Sequence, residues 1–198
     1  MSGFIIPPTQ PLLVVVTGPS GAGKTTLVKR FLAENPDWRF SVSTTTRPPR
    51  PGERQGVEYY FVSEEEFERR VRQGLFLEYA SVHDHRYGTQ LSELERMGSS
   101  GLLLDVDVQG GESIRRLRPD ALQIFVAPPD VETLQQRLIA RGLDNEEQIQ
   151  IRLQNALMEL GHLHKYHYLV INDELERAYE DLAAILHAEP LRLTRRKS

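Results

Sequence analysis

The sequence predicts an α/β fold of three layers, a parallel sheet with helices on both faces, carrying a small α+β insertion and a helical lid. Three observations predict it. Short β-rich apolar runs alternate with amphipathic stretches of helix length. Two of the runs, Leu12–Val16 and Leu122–Val126, are almost continuously apolar, as strands covered on both faces must be. Two stretches, residues 44–89 and 129–161, break the alternation with a more polar, arginine-bearing composition.

Taken in order, the first strand, Leu12–Val16, leads into a helix, Gly23–Glu34. Further strands are expected at Phe40–Ser43, Leu102–Val106, Leu122–Val126 and Tyr168–Ile171, and further helices at Val108–Leu117 and Glu174–His187. The first interruption holds Arg47-Pro48-Pro49-Arg50-Pro51-Gly52 and two β-like runs, Tyr59–Val62 and Phe76–Val82. A helix between those runs is expected to start at Ser63, with Glu66 three residues on to close a capping box, and to end near Gly74. The second interruption reads as two helices around Arg141-Gly142. The chain then divides into a core (11–43, 90–128 and 162–188), an insertion (44–89), a lid (129–161) and loose ends (1–10 and a basic 189–198).

Composition limits the function classes. A chain of 198 residues is one domain's worth of sequence. A formal charge of −4 argues against a broad surface for a nucleic acid polymer. The absence of cysteine excludes disulfides, thiolate metal sites and a cysteine nucleophile. No apolar run approaches the roughly 20 residues that span a bilayer. Met1–Gln10 has no basic n-region and carries Pro7 and Pro8, so it does not read as a secretory signal. The expectation is a soluble, cytoplasmic protein with no membrane partner, monomer or homo-oligomer.

The sharpest motif is Gly18-Pro19-Ser20-Gly21-Ala22-Gly23-Lys24-Thr25, which satisfies G-x-x-x-x-G-K-[ST] between a strand and a helix. Glycines let the backbone wrap closely around phosphate oxygens, and successive N–H groups with the helix N-terminus then face the anion. Lys24 is expected to reach the β- and γ-phosphates, and the Thr25 hydroxyl to ligate Mg²⁺. The stretch from Pro19 to Thr26 therefore reads as an ATP site. Asp105, at the end of an apolar run, has the position of a metal-supporting carboxylate. Asp107 lies two residues on, and on one strand both would face the same side.

The insertion suggests the acceptor. Arg47 and Arg50 sit in a loop stiffened by prolines, followed by Tyr59 and Tyr60, then by "FLEYASVHDHRYGT" with Glu78, Tyr87 and Thr89. Arginines with tyrosine hydroxyls suit a phosphate monoester. A carboxylate such as Glu78 accepts two donors side by side, and guanine offers that pair in N1–H and the 2-amino group. With "STTTRPPRPGE", "LLLDVDVQG", "RLIARG" and "INDEL" also present, the sequence resembles the guanylate kinases over about residues 12–187.

The resemblance implies a P-loop kinase core, a GMP-binding insertion and transfer of the γ-phosphate of ATP to GMP or dGMP with Mg²⁺. It implies that Arg47, Arg50, Tyr59 and Tyr87 grip the GMP phosphate, and that Ser43, Glu78, Thr89 and Asp107 read the guanine edge. Arg137, Arg141 and Arg152 would come from the lid onto the ATP phosphates, and Asn172 would lie near adenine. One of Asp105 and Asp107 would support the metal, and the sequence leaves that division open. Other readings stand beside these. Arg141 could cap a helix end, Arg152 could pair with its own helix, and Tyr60 reads as packing. His83 with His85, and His162, His164 and His167, read as surface or structural groups. The family usually has an acid where His167 stands. A catalytically inactive interaction module of the same fold is the alternative function, and the intact Lys24 and Thr25 argue against it.

Overall fold

A computed structural model of the chain describes residues 10–82, 84–140, 142, 145–192 and 195. Strand β1 (Leu12–Thr17) runs into helix α1 (Lys24–Glu34) and returns as β2 (Trp38–Phe40). The insertion follows as β3 (Thr44–Thr45), β4 (Tyr60–Phe61), α2 (Glu64–Arg72), β5 (Phe76–Val82) and β6 (His85–Gln90). A short helix α3 (Ser92–Glu95) leads back to β7 (Gly101–Asp105), α4 (Val108–Leu117) and β8 (Leu122–Ala127). The lid helices are α5 (Val131–Ala140) and α6 (Glu146–Leu160), and β9 (Tyr168–Ile171) with α7 (Leu175–Ala188) completes the order.

The main sheet has the order β2-β7-β1-β8-β9, every pairing parallel. The pleat of β1 sorts its side chains between two cores. Leu12, Val14 and Val16 pack with Leu27, Val28 and Phe31 of α1 and with Ala178, Leu182 and Leu186 of α7. Leu13 and Val15 face the other way, toward Ile114 of α4 and Leu77 of the insertion. All six β1 residues are buried, which is why the run reads as continuous rather than alternating. The second sheet, β4-β3-β6-β5, is antiparallel except where β3 meets β4. Helices α5 and α6 close a small core of their own from Leu134, Leu138, Ile149, Leu153 and Ala156. Among the described residues no helix is long and apolar enough to cross a membrane.

Four local expectations need correction. The second core strand is Trp38–Phe40, not Phe40–Ser43, because the Val42 N–H turns to the Glu93 carboxylate (2.9 Å) and leaves the sheet. Asp107 is not on the strand with Asp105, since β7 ends at Asp105 and Asp107 caps α4 through Gly110 N–H (2.8 Å). The Ser63 box is half formed: Ser63 Oγ accepts from Glu66 N–H, while the Glu66 carboxylate is taken by Arg69 and Arg70. A complete capping box stands instead at Asn145 and Gln148, opening α6. Within the segment 189–198 expected to be loose, Glu189 is buried and bonded to the Tyr168 hydroxyl and Arg195, while 193, 194 and 196–198 lie outside the described residues.

Phe31 joins the α1 face to the sheet. It is fully buried and meets the Trp38 ring edge-on at 5.4 Å. Phe31→Ala should cost about 3–5 kcal/mol of unfolding free energy, the usual result of a large cavity in a packed core. A urea titration would test this, and a loss below about 1 kcal/mol would show that the face collapses around the gap.

Candidate active site

The loop Gly18–Lys24 hangs between the C-terminal ends of β1 and β8. Gly23 has φ +90°, and a Cβ there would overlap the Nδ2 of Asn172. Only glycine combines that backbone with that approach. Asn172 is 5 % exposed, donates from Nδ2 to the Ala22 carbonyl (2.7 Å), and donates from its N–H to the Ala127 carbonyl (2.8 Å). It therefore holds the loop from beneath rather than presenting its amide at the surface. Lys24 Nζ folds back onto the carbonyls of Gly18 (2.6 Å) and Pro19 (3.2 Å), and stands 3.9 Å from Asp105 Oδ1. Thr25 Oγ1 lies 3.4 Å from the other oxygen, Oδ2. Burial pushes the Asp105 pKa up, while Lys24 and the Thr25 hydroxyl pull it back.

The lid lies over this loop. Leu134 and Leu138 of α5 pack close to Gly21. Arg152 donates from Nη1 to Ser20 Oγ at 3.0 Å, so it turns to the loop, whatever its own helix also offers. Arg137 donates from Nη2 to the Asn172 carbonyl (2.8 Å), and its Nη1 is buried with no hydrogen-bond partner among the described residues. Arg141 lies outside the described residues. Near the base of the lid an apolar cavity of about 210 Å³ opens between Leu153, Leu157 and Leu160 of α6 and Leu169 and Ile171 of β9. Its lining has nothing for a phosphate.

The insertion presents a second group. Glu78 on β5 pairs in register with Thr89 on β6, and its Oε1 accepts the Thr89 N–H at 2.8 Å. The side chain is 6 % exposed. Burial pushes its pKa up to about 7 against the bonds from Thr89, and the charge on Asp107 adds to the rise. Gly110 of α4 makes room for both acids, since a Cβ there would stand 2.6 Å from Glu78 Oε2 and 3.2 Å from Asp107 Oδ1. Asp107 also feels Lys24, which lowers its pKa against the larger effect of burial. The core helix α4 thus packs directly against Glu78. Ser43 lies on the chain's way into the insertion, half-buried, with its carbonyl accepting the Tyr60 N–H at 2.8 Å.

Arg47 and Arg50 part company. Arg47 is 9 % exposed, with the Tyr59 ring at 5.3 Å, and Tyr59 meets Tyr87 edge-on at 6.0 Å. Arg50 is exposed. Between them stands Glu53, which accepts from Arg47 Nη2 (2.8 Å) and from the Arg50 N–H (2.7 Å). Arg47 holds the Glu53 carboxyl below the usual range, against burial. Glu53 lies inside a motif the sequence singles out, yet nothing in its spacing marks it. His167 proves structural, its Nδ1 accepting the Gln123 N–H at 2.9 Å. His83 lies outside the described residues. Among the described residues no three of His, Asp and Glu gather as a metal cluster.

Comparisons with known proteins give the family. A family model described as guanylate kinase matches residues 10–189. The chain is 47 % identical over 192 residues to a guanylate kinase of Symbiobacterium thermophilum, covering 95 % of this chain and 91 % of that one. It is 46 % identical over 184 residues to a guanylate kinase of Hahella chejuensis, at 92 % and 88 % coverage. The crystal structure of guanylate kinase from Anaplasma phagocytophilum superposes with a TM-score of 0.78 at 30 % identity, covering 96 % of this chain and 92 % of that one. A family model matched along nearly the whole chain, and relatives at 46–47 % identity over most of it, have one conclusion: the chain belongs to the guanylate kinase family.

Proposed function

We propose that the chain catalyses phosphoryl transfer from ATP to GMP or dGMP, with the work divided among three parts. Residues 11–43, 90–128 and 162–188 hold ATP, residues 44–89 hold GMP, and residues 129–161 close over both. The observation that carries the reading is the buried Glu78 carboxylate, which comes up against Gly110 of α4 beside the Asp107 carboxylate. This supports a base acceptor placed where the insertion meets the core.

In this reading Pro19, Ser20, Gly21, Ala22, Gly23, Lys24, Thr25 and Thr26 wrap the ATP phosphates, with Asn172 seating the loop. Lys24 leaves the two carbonyls it now faces and takes the β- and γ-phosphates. Arg137, whose buried Nη1 lacks a partner, has a donor free for an anion, and Arg152 stands beside the loop. Arg141 completes the lid set by resemblance alone. Arg47, Arg50, Tyr59 and Tyr87 take the GMP phosphate, while Ser43, Glu78, Thr89 and Asp107 take guanine. A GMP phosphate oxygen forms a bond to the γ-phosphorus as the bond to the ADP oxygen breaks. No general base is needed, since the attacking oxygen is already anionic. The side chains align the two nucleotides and neutralise charge as it redistributes.

A hydroxyl and a carboxylate, Thr25 Oγ1 and Asp105 Oδ2, lie 3.4 Å apart. Such oxygen donors fit Mg²⁺, which is commonly held by few protein ligands and the phosphates. The metal would supply neutralisation of the β- and γ-phosphate oxygens.

The test is diphosphate formation with ATP, Mg²⁺ and each of GMP, dGMP, AMP, CMP and UMP. Turnover should be confined to GMP and dGMP. Turnover with another acceptor would remove Ser43, Glu78 and Thr89 as readers of guanine, and bound GMP without turnover would favour the interaction module. Lys24→Ala and Arg47→Ala should each lose at least about 10²-fold in kcat with the fold retained by circular dichroism. Near-normal rates in either would count against its role.

Glu78 gives a pH prediction. Only the ionised carboxylate accepts both guanine donors, and with a pKa of about 7 it is largely protonated at pH 6. The KM for GMP should therefore fall about twenty-fold between pH 6 and 8, about ten-fold from Glu78 and about two-fold from the GMP phosphate, whose second pKa is about 6. Glu78→Gln should keep only the phosphate's part, at a higher KM throughout. Stability runs the other way. The folded protein keeps this proton where the unfolded chain has lost it, so unfolding free energy should decline from the ordinary value of 4.5 up to about 7. Glu78→Gln should flatten that decline in thermal melts.

A further inference from the structure

Glu93 is a buried carboxylate that the reaction does not use. It is 2 % exposed and sits in α3, just after the chain leaves the insertion. Its Oε2 accepts the Val42 N–H at 2.9 Å, in the segment by which the chain enters the insertion. Its Oε1 accepts from Arg96 Nη1 (2.9 Å) and lies 3.5 Å from the Tyr60 hydroxyl. The same Arg96 nitrogen donates to that hydroxyl at 3.0 Å. One carboxylate therefore joins the entry to the insertion, the exit from it, and strand β4.

A buried carboxylate is tolerable only when its oxygens are bonded, and three donors converging on one group fix it in place. What it fixes is close to the proposed GMP contacts. Val42 precedes Ser43, and the Ser43 carbonyl accepts the Tyr60 N–H at 2.8 Å. Tyr60 follows Tyr59, whose ring borders Arg47. A shift of Val42 relative to Tyr60 would move the candidate base contact and the candidate phosphate contact against each other.

We infer that Glu93 is a positioning residue for GMP, a clasp across the two crossings between core and insertion that sets the distance between Ser43 and Tyr59. It touches no reacting atom, and it leaves the ATP loop alone. The inference rests on the GMP reading of the insertion.

Glu93→Gln tests it. Glutamine keeps the size and can still accept from Val42, but its amide then turns N–H groups toward Arg96 and Tyr60. Equilibrium Kd values for GMP and for ATP would be measured separately on the full chain, together with the thermal midpoint. The Kd for GMP should rise about ten-fold, as for the loss of one charged hydrogen bond, with the Kd for ATP unchanged. Equal weakening of both nucleotides with a lower midpoint, or no change in either, would overturn the inference. Tyr60→Phe removes only an outer donor and serves where Glu93→Gln fails to fold. It should weaken GMP about three-fold alone, and by less in the Glu93→Gln background, since the two act through one clasp. Unchanged GMP affinity in Tyr60→Phe would likewise count against it. Failure of the unaltered protein to bind GMP would instead remove the GMP reading itself.

Discussion

The seat of the phosphate loop on Asn172 is the constraint on which the rest of the site depends. One buried amide meets three parts of the molecule: its Nδ2 donates to Ala22 in the loop, its N–H to Ala127 at the end of β8, and its carbonyl accepts from Arg137 of the lid. Gly23 is left-handed because the loop must turn there directly above that amide. If the loop lifted, its N–H groups would no longer converge, and α1 would begin from a different point. Lys24 and Thr25, the first two residues of α1, would move with it. Arg137 of α5 meets the same residue at its backbone carbonyl, so the loop and that helix share Asn172 as an anchor.

Charge at the site follows from burial. Asp105, Asp107 and Glu78 are all pushed toward protonation by the loss of water around them. The rise is offset at each, with Lys24 shared by two: Asp105 by Lys24 and Thr25, Asp107 by Gly110 and Lys24, Glu78 by Thr89. The low dielectric that makes these acids costly to ionise also strengthens their bonds to any donor that arrives. Arg47 solves the converse problem. Buried beside the Tyr59 ring, it takes Glu53 as counter-charge.

The strands of the core were legible because burial on both faces writes itself as uninterrupted apolar sequence, as in Leu12–Val16 and Leu122–Val126. The loop was legible because its chemistry needs glycines and a lysine at fixed spacing. What escaped was set by contacts distant in sequence. Strand β6, "HRYGTQ", has no apolar alternation, and forms because β5 offers it a full register of partners. Val42 leaves the strand because of a carboxylate 51 residues on. Asp107 reads as a strand residue until the helix that follows claims it as a cap. Glu53 is a single polar residue whose partners, Arg47 and a backbone N–H, leave no pattern, and Asn172, singled out by resemblance as near adenine, gave no sign that it would anchor the loop through Ala22.

The capping role of Asp107 bears on the division of labour that spacing alone left open. Its Oδ1 is spent on Gly110, and that same glycine is where Glu78 approaches α4. A carboxylate fixed in this way is turned toward the base pocket, with its remaining oxygen the one available to a ligand. Asp105, on the strand, has its two oxygens toward Lys24 and Thr25. Under the proposed function this arrangement supports Asp105 for the phosphates and metal, and Asp107 for guanine. A guanine bound there would meet core and insertion together, since a core helix supplies one acid and the space for the other. Any movement of the insertion that carried Glu78 away from Gly110 would separate the two acids, so their spacing depends on how the insertion is held against α4.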